Sequence, residues 1–219
     1  RAQVIEDPPM SSTLKLALLA IKQGEWNRTR ELLSEARALS TTARHAMSVL
    51  QVESYLESRL GRIERAIELV EENMTYAQQV QSPVEQVFGY YFPMIQFNVL
   101  LGRFDQAESL LLNAQQALQP PMNQFMAFSE VMVSARQGDM ERASAALDRA
   151  IAVVEHFKAD YLAFLVSLSE AEIANAREEF SDAGRHYMVA LEKAGRSVFA
   201  AGLQEEQSII YAEIGRAHV

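Results

Sequence analysis

Four histidines, His45, His156, His186 and His218, are the side chains best suited to move protons or hold a metal, and they lie far apart in the chain. His156 and Asp160 stand four residues apart, a spacing that would put two ligands on one helical face. Asp160 also stands where a helix would begin, and capping that helix is the simpler use for it. Carboxylates occur as the adjacent pairs Glu71–Glu72, Glu178–Glu179 and Glu205–Glu206. Consecutive helical residues do not face each other, so these pairs are expected on solvated faces and not as an acid and its base. The sequence contains no phosphate-cradling G-x-x-x-x-G-K-[ST], no G-x-G-x-x-G, no H-E-x-x-H and no G-x-S-x-G. It has no cysteine, which rules out thiolate nucleophiles, thiolate zinc sites and disulfides. With no catalytic residue to name, the chain is expected not to be an enzyme, and neither a metal nor a cofactor is expected.

Composition narrows the partners. Twenty Lys and Arg against 29 Asp and Glu give a net charge of −9, and there is no basic run. Nucleic-acid binders need clustered positive charge to displace counterions from phosphate, so direct nucleic-acid binding is not expected. A negatively charged membrane surface would repel such a chain, and no apolar run approaches the ~18 residues that suggest a membrane-spanning helix. These features and the missing cysteine lead to an expectation of a cytoplasmic protein. Only nine Gly and six Pro punctuate 219 residues, and Ala, Leu, Glu, Gln and Arg are abundant. Strong helix formers with few breakers predict long helices.

Those helices must belong to a repeat. The phrases "LGRIERAIELVEEN" from Leu60, "LGRFDQAESLLLNA" from Leu101 and "QGDMERASAALDRA" from Gln137 are near copies. Aligned on their glycines, the copies fall at Gly24, Gly61, Gly102, Gly138, the degenerate Glu178 and the terminal Gly215, at intervals of 37, 41, 36, 40 and 37 residues. A near-constant period of this size is the signature of a repeat architecture. Two residues after the Gly comes a large apolar residue: Trp26, Ile63, Phe104, Met140 or Phe180. Trp26 therefore belongs in the core, although a lone tryptophan also invites a ligand-stacking role. Five residues after the Gly comes a small side chain (Thr29, Ala66, Ala107, Ala143, Ala183) and twelve after it another (Ala36, Asn73, Ala114, Ala150, Ala190). Leu33, Val70, Leu111, Leu147 and Tyr187 lie between, at offset nine. Offsets of five, nine and twelve share one helix face, and small residues there admit a neighbouring helix. The unit reads as helix A, a tight turn at the Gly, then helix B.

A helices are expected near 12–22, 43–60, 84–101, 122–136, 160–177 and 202–214, and B helices near 26–39, 63–80, 105–118, 140–156 and 181–194. Ser and Thr of "SSTLKLALL" are expected to cap the first helix. Pro83 and Pro120–Pro121 fall between units, whereas Pro93 lies inside an A helix and predicts a kink. Residues 1–10 read as a linker or extension and 11–219 as one repeat domain, cut inside a sixth copy.

The pattern resembles the tetratricopeptide repeat over about residues 11–215, with longer periods than the typical ~34 and without most of the closing prolines. The longer helices are similar to the helical sensor domain of maltose-activator-type bacterial transcription regulators. The resemblance implies an all-α, right-handed superhelix of about five and a half helix-turn-helix repeats, with A helices lining a concave groove. It also implies groove contacts at fixed positions upstream of each Gly: Gln51, Tyr55, Ser58 and Arg59; Phe92, Gln96, Val99 and Leu100; Phe125, Phe128, Met132 and Arg136; Leu168, Glu172 and Asn175. The Lys and Asn that clamp a carboxylate tail in some such repeats are missing, since Leu14, Leu18, Gln51, Tyr55, Phe92 and Gln96 stand there instead. An aromatic, Met-containing lining suits an amphipathic peptide or helix, although apolar residues on an A helix serve packing as readily. The expected function is a protein- or peptide-binding scaffold, a regulatory part of a larger bacterial signalling or transcription protein. The alternative is a small-ligand or signal-peptide sensor using the same groove. Ile209, Ile210 and Ile214, on a last A helix without its B partner, predict self-association.

Overall fold

In the computed structural model, residues 9–157 and 162–195 are described, and among them all regular secondary structure is helical. The chain divides into two compact units, Arg1–Tyr90 and Tyr91–Val219. The first holds α1 (Pro9–Gln23), α2 (Trp26–Ala38), α3 (Ala43–Arg59), α4 (Ile63–Gln79) and the short α5 (Pro83–Gln86). The second holds α6 (Phe92–Leu100), α7 (Phe104–Ala117), α8 (Met126–Gln137, entered through a 3₁₀ turn at Met122–Phe125), α9 (Met140–Phe157), α10 (Ala163–Ala176) and α11 (Phe180–Gly195). Helix α5, a π-helical turn at Val87–Tyr91 and α6 run on without a break, where an ordinary A helix with a kink at Pro93 was expected. The expected A helix at 202–214, with Ile209, Ile210, Ile214 and Gly215, lies outside the described residues, as do Asp160, His218 and Glu205–Glu206.

The A-to-B junction is one turn written five times. Gly24, Gly61, Gly102 and Gly138 have φ of 71°, 74°, 70° and 82°, in the left-handed region. At Gly102 the amide donates to the Val99 carbonyl (3.0 Å) and the following Arg103 amide to Asn98 (2.8 Å). That pair of bonds closes a helix when the residue after it turns left-handed, a conformation that glycine adopts without a Cβ penalty. Glu178 makes the same turn at φ 61°, and its amide donates to Asn175 while Glu179 donates to Ala174. The hydrogen bonds are repeated even where the glycine is not.

Within each unit, consecutive A and B helices pack as antiparallel hairpins, α1 with α2 and α3 with α4 in the first, α6 with α7, α8 with α9 and α10 with α11 in the second. A helices also pack on A helices, α1 on α3, α6 on α8 and α8 on α10. The small-residue positions make this possible: Thr29, Ala66, Ala107, Ala143 and Ala183 are fully buried, as are Ala36, Ala114, Ala150 and Ala190. Thr29 turns its hydroxyl back to the Glu25 carbonyl (3.0 Å), so its polarity is satisfied locally. In the first unit Met10, Leu14, Ile21, Leu32, Leu33, Val52 and Leu56 form a continuous apolar core, with Trp26 packed against it. In the second, Val131, Ala135, Ala143, Ala146 and Ile173 form one cluster and Ala171, Ala183, Tyr187 and Ala190 another.

Two local expectations change. Ser11, Ser12 and Thr13 do not cap α1, which already starts at Pro9; Thr13 is buried and donates its hydroxyl to Glu35 (3.4 Å). The large apolar position after the turn is half-buried in four copies and exposed at Phe180, because it stands at the first residue of each B helix and only its inner side meets a neighbour.

Backbone strain at the fifth turn is removable. Glu178→Gly is expected to raise stability by about 0.5–1 kcal/mol and Gly102→Ala to lower it by about 1 kcal/mol or more, read as shifts in urea midpoint. Equal midpoints for all three proteins would contradict the left-handed geometry.

Candidate functional site

The expected contact positions separate by burial. In the first unit Gln51 and Arg59 are exposed on α3, whereas Tyr55 between them is buried in the core, only 6% exposed. Ser58 spends its hydroxyl on the Tyr55 carbonyl (2.8 Å). Gln51 reaches across to α5 and donates its amide to Glu85 (3.1 Å). In the second unit Phe92, Gln96, Met132, Leu168 and Asn175 are half-buried, Leu100 is exposed, and Val99, Phe125 and Phe128 are buried. Phe125 stacks on Phe157, ring centroids 5.8 Å apart. The aromatic lining thus serves packing at Tyr55, Phe125 and Phe128. Polar and flexible side chains hold most of the exposed positions.

Arg136, one of the expected contact residues, is paired. Its Nε and Nη2 meet Glu172 Oε2 and Oε1 at 2.8 and 3.1 Å, a two-point pairing between α8 and α10. The Tyr187 hydroxyl donates to the same carboxylate (3.3 Å), so two expected contact residues neutralise one another. A two-point guanidinium–carboxylate pair fixes orientation as well as charge.

A second polar centre lies away from the expected contact positions. The Glu130 side chain on α8, 12% exposed, meets Arg142 at 3.1 Å and Arg149 at 2.8 Å, both on α9. Gln115 on α7 donates to it as well (3.4 Å). Arg142 also makes a two-point pair with Glu108 on α7, at 2.5 and 2.9 Å. Its guanidinium is held charged more firmly than usual, chiefly by the Glu108 hydrogen bonds, against the opposing effect of burial. One arginine thereby ties α7, α8 and α9 together. Glu108 and Gln115 share one face of α7, and Arg142 and Arg149 share one face of α9, but only packing brings those two faces to Glu130. In the first unit, burial raises the Glu53 carboxyl above its ordinary range, although Arg37 hydrogen-bonds it.

The three described histidines do separate work. His45 lies beside the Thr41 hydroxyl (3.4 Å), His156 packs edge-on to Phe157, and His186 pairs with Glu170 (3.0 Å). Among the described residues, no group of three or more His, Asp or Glu could hold a metal. Glu71, Glu72, Glu178 and Glu179 are all exposed. An open hollow of about 380 Å³ in the first unit is lined by Arg37, Thr42, Glu72, Tyr76 and Gln79 above Val49 and Leu50. None of the expected contact residues lines it. Among the described residues, no helix is long and apolar enough to cross a membrane.

No protein-family model matches the chain, and no curated protein or solved structure matches it significantly.

Removing Arg142 leaves Glu130 with Arg149 and Gln115 and strips Glu108 of its partner. Arg142→Ala is expected to cost about 1–3 kcal/mol, less than a wholly uncompensated buried charge because one cation stays and the arginine is partly solvated. Arg136→Ala is expected to cost about 1 kcal/mol. Denaturant titration ranks the two, and a larger loss at Arg136 would reverse the reading.

Proposed function

We propose that the chain is a non-catalytic, tetratricopeptide-like α-solenoid that binds a peptide or a protein through its A helices, as a regulatory part of a larger bacterial signalling or transcription protein. One observation carries this reading: five helical hairpins with the same left-handed closing turn and the same fully buried small positions, at a period of 36 to 41 residues. An array of this kind places equivalent A-helix positions at regular intervals, which suits an extended or helical segment with several anchor points. Contact is then made by Gln51 and Arg59 in one unit and by Gln96, Met132 and Asn175 in the other. These side chains retain exposure, while Tyr55 and Phe128 support them from the core. Methionine and glutamine adapt to differing partners, and the acidic balance of the chain disfavours nucleic acid as the occupant.

A second reading, a small-ligand or signal-peptide sensor, draws on the hollow of the first unit, where Glu72, Tyr76 and Gln79 offer donors and acceptors over an apolar floor. It locates the ligand by the α2–α3 loop and α4, not on the contact positions of the A helices.

Selection from a displayed peptide library separates the two. The interaction reading expects enriched peptides whose affinity falls about tenfold in Gln51→Ala/Arg59→Ala or in Gln96→Ala/Met132→Ala, with circular dichroism unchanged. Undiminished affinity in both variants, together with loss in Tyr76→Ala, would move the site to the hollow.

A further inference from the structure

At the second small position of the five B helices, one copy breaks the rule. Where Ala36, Ala114, Ala150 and Ala190 stand in the other copies, α4 carries Asn73, and it is as deeply buried as they are, 1% exposed. A primary amide in a slot that elsewhere takes alanine needs a cause. Its Nδ2 donates to the Gly89 carbonyl at 2.9 Å, while its own Oδ1 is buried with no hydrogen-bond partner. The amide is therefore retained as a donor, at the expense of an unsatisfied acceptor.

Gly89 sits in the middle of the π-helical turn, four residues before Pro93. In a continuing α-helix its carbonyl would accept from residue 93, but proline has no N–H to give and its ring crowds that carbonyl. Asn73 supplies the missing donor from outside the helix. Close approach requires the glycine too: a Cβ at residue 89 would stand 3.0 Å from Asn73 Nδ2 and 2.8 Å from Gln51 Nε2. A π turn takes up one extra residue, which shifts the helix face of the residues before it by one position, about 100°. Glu85 on that shifted face meets Gln51, while its neighbour Val84 is left exposed.

We infer that Asn73, Gly89 and Pro93 form one interdependent device, in which the Asn73 amide is the positioning residue that holds the π turn and thereby the Gln51–Glu85 pair. The device is independent of any partner. Its logic makes the asparagine necessary only while residue 93 is proline. With an N–H at residue 93, the Gly89 carbonyl is satisfied within its own helix, the turn relaxes to α-helix, and alanine at residue 73 becomes as suitable as in the other four copies.

The test is a double-mutant cycle read by thermal melting and amide hydrogen exchange. Asn73→Ala is expected to lower Tm by about 4–8 °C and to speed exchange at residues 90–95 by about tenfold or more, because the turn loses its external donor. Pro93→Ala alone is expected to fold, with its new amide protected. The double variant is expected to recover the Tm and the protection, since neither an orphan carbonyl nor an orphan amide oxygen remains. A purely packing role for Asn73 predicts the opposite, additive losses with no rescue. Additivity, or unchanged exchange at residues 90–95 in Asn73→Ala, would overturn the inference. Should Asn73→Ala fail to fold, the double variant still decides: its folding supports the device, and its failure refutes it.

Discussion

The turn that closes each A helix constrains everything after it. A left-handed residue followed by two amides that donate back into the helix ends one element and aims the next within two residues. Because the turn is so short, helix B must return along helix A, and the residues at offsets five and twelve are forced against neighbours. Only small side chains fit such contacts, so the buried alanines follow from the turn. That Glu178 accepts left-handed strain to make the same hydrogen bonds shows how firmly the hairpin requires this geometry.

Polar groups then do what apolar packing cannot. Alanine contacts are close but unspecific in register, and each unit adds ion pairs or amides that bridge particular helices. Arg142 links α7, α8 and α9 through Glu108 and Glu130; Arg136 links α8 to α10; Gln51 links α3 to α5. Glu130 and Glu172 are the most buried of the paired carboxylates, and each has an arginine in contact, as electrostatics in a poorly solvated setting demands. These bridges account for several side chains that a sequence reading would assign to a ligand.

Periodicity revealed a great deal. Nine of the described long helices follow their expected ranges closely, because amphipathic spacing and the Gly position are local properties, whereas the A helix expected at 84–101 is interrupted by the π turn. The contact residues were less legible. Gln51 and Arg59 are exposed and Gln96 is half-buried, but the offsets could not tell that Tyr55 and Phe128 turn inward. A helix face has a width of several residues, and which edge of it is covered depends on the neighbour's angle and distance.

The sequence by itself determined the helical class, the hairpin unit, the left-handed turns and the small buried positions, because all of these are written in short residue spacings that recur along the chain. Tertiary structure alone decided that Arg136 and Glu172 consume each other, that Glu130 gathers two arginines, and that the Asn73 amide reaches the Gly89 carbonyl. Those contacts join residues 12 to 36 positions apart. No local spacing rule encodes them, because they depend on how closely separate helices approach and on which polar groups are then left without water.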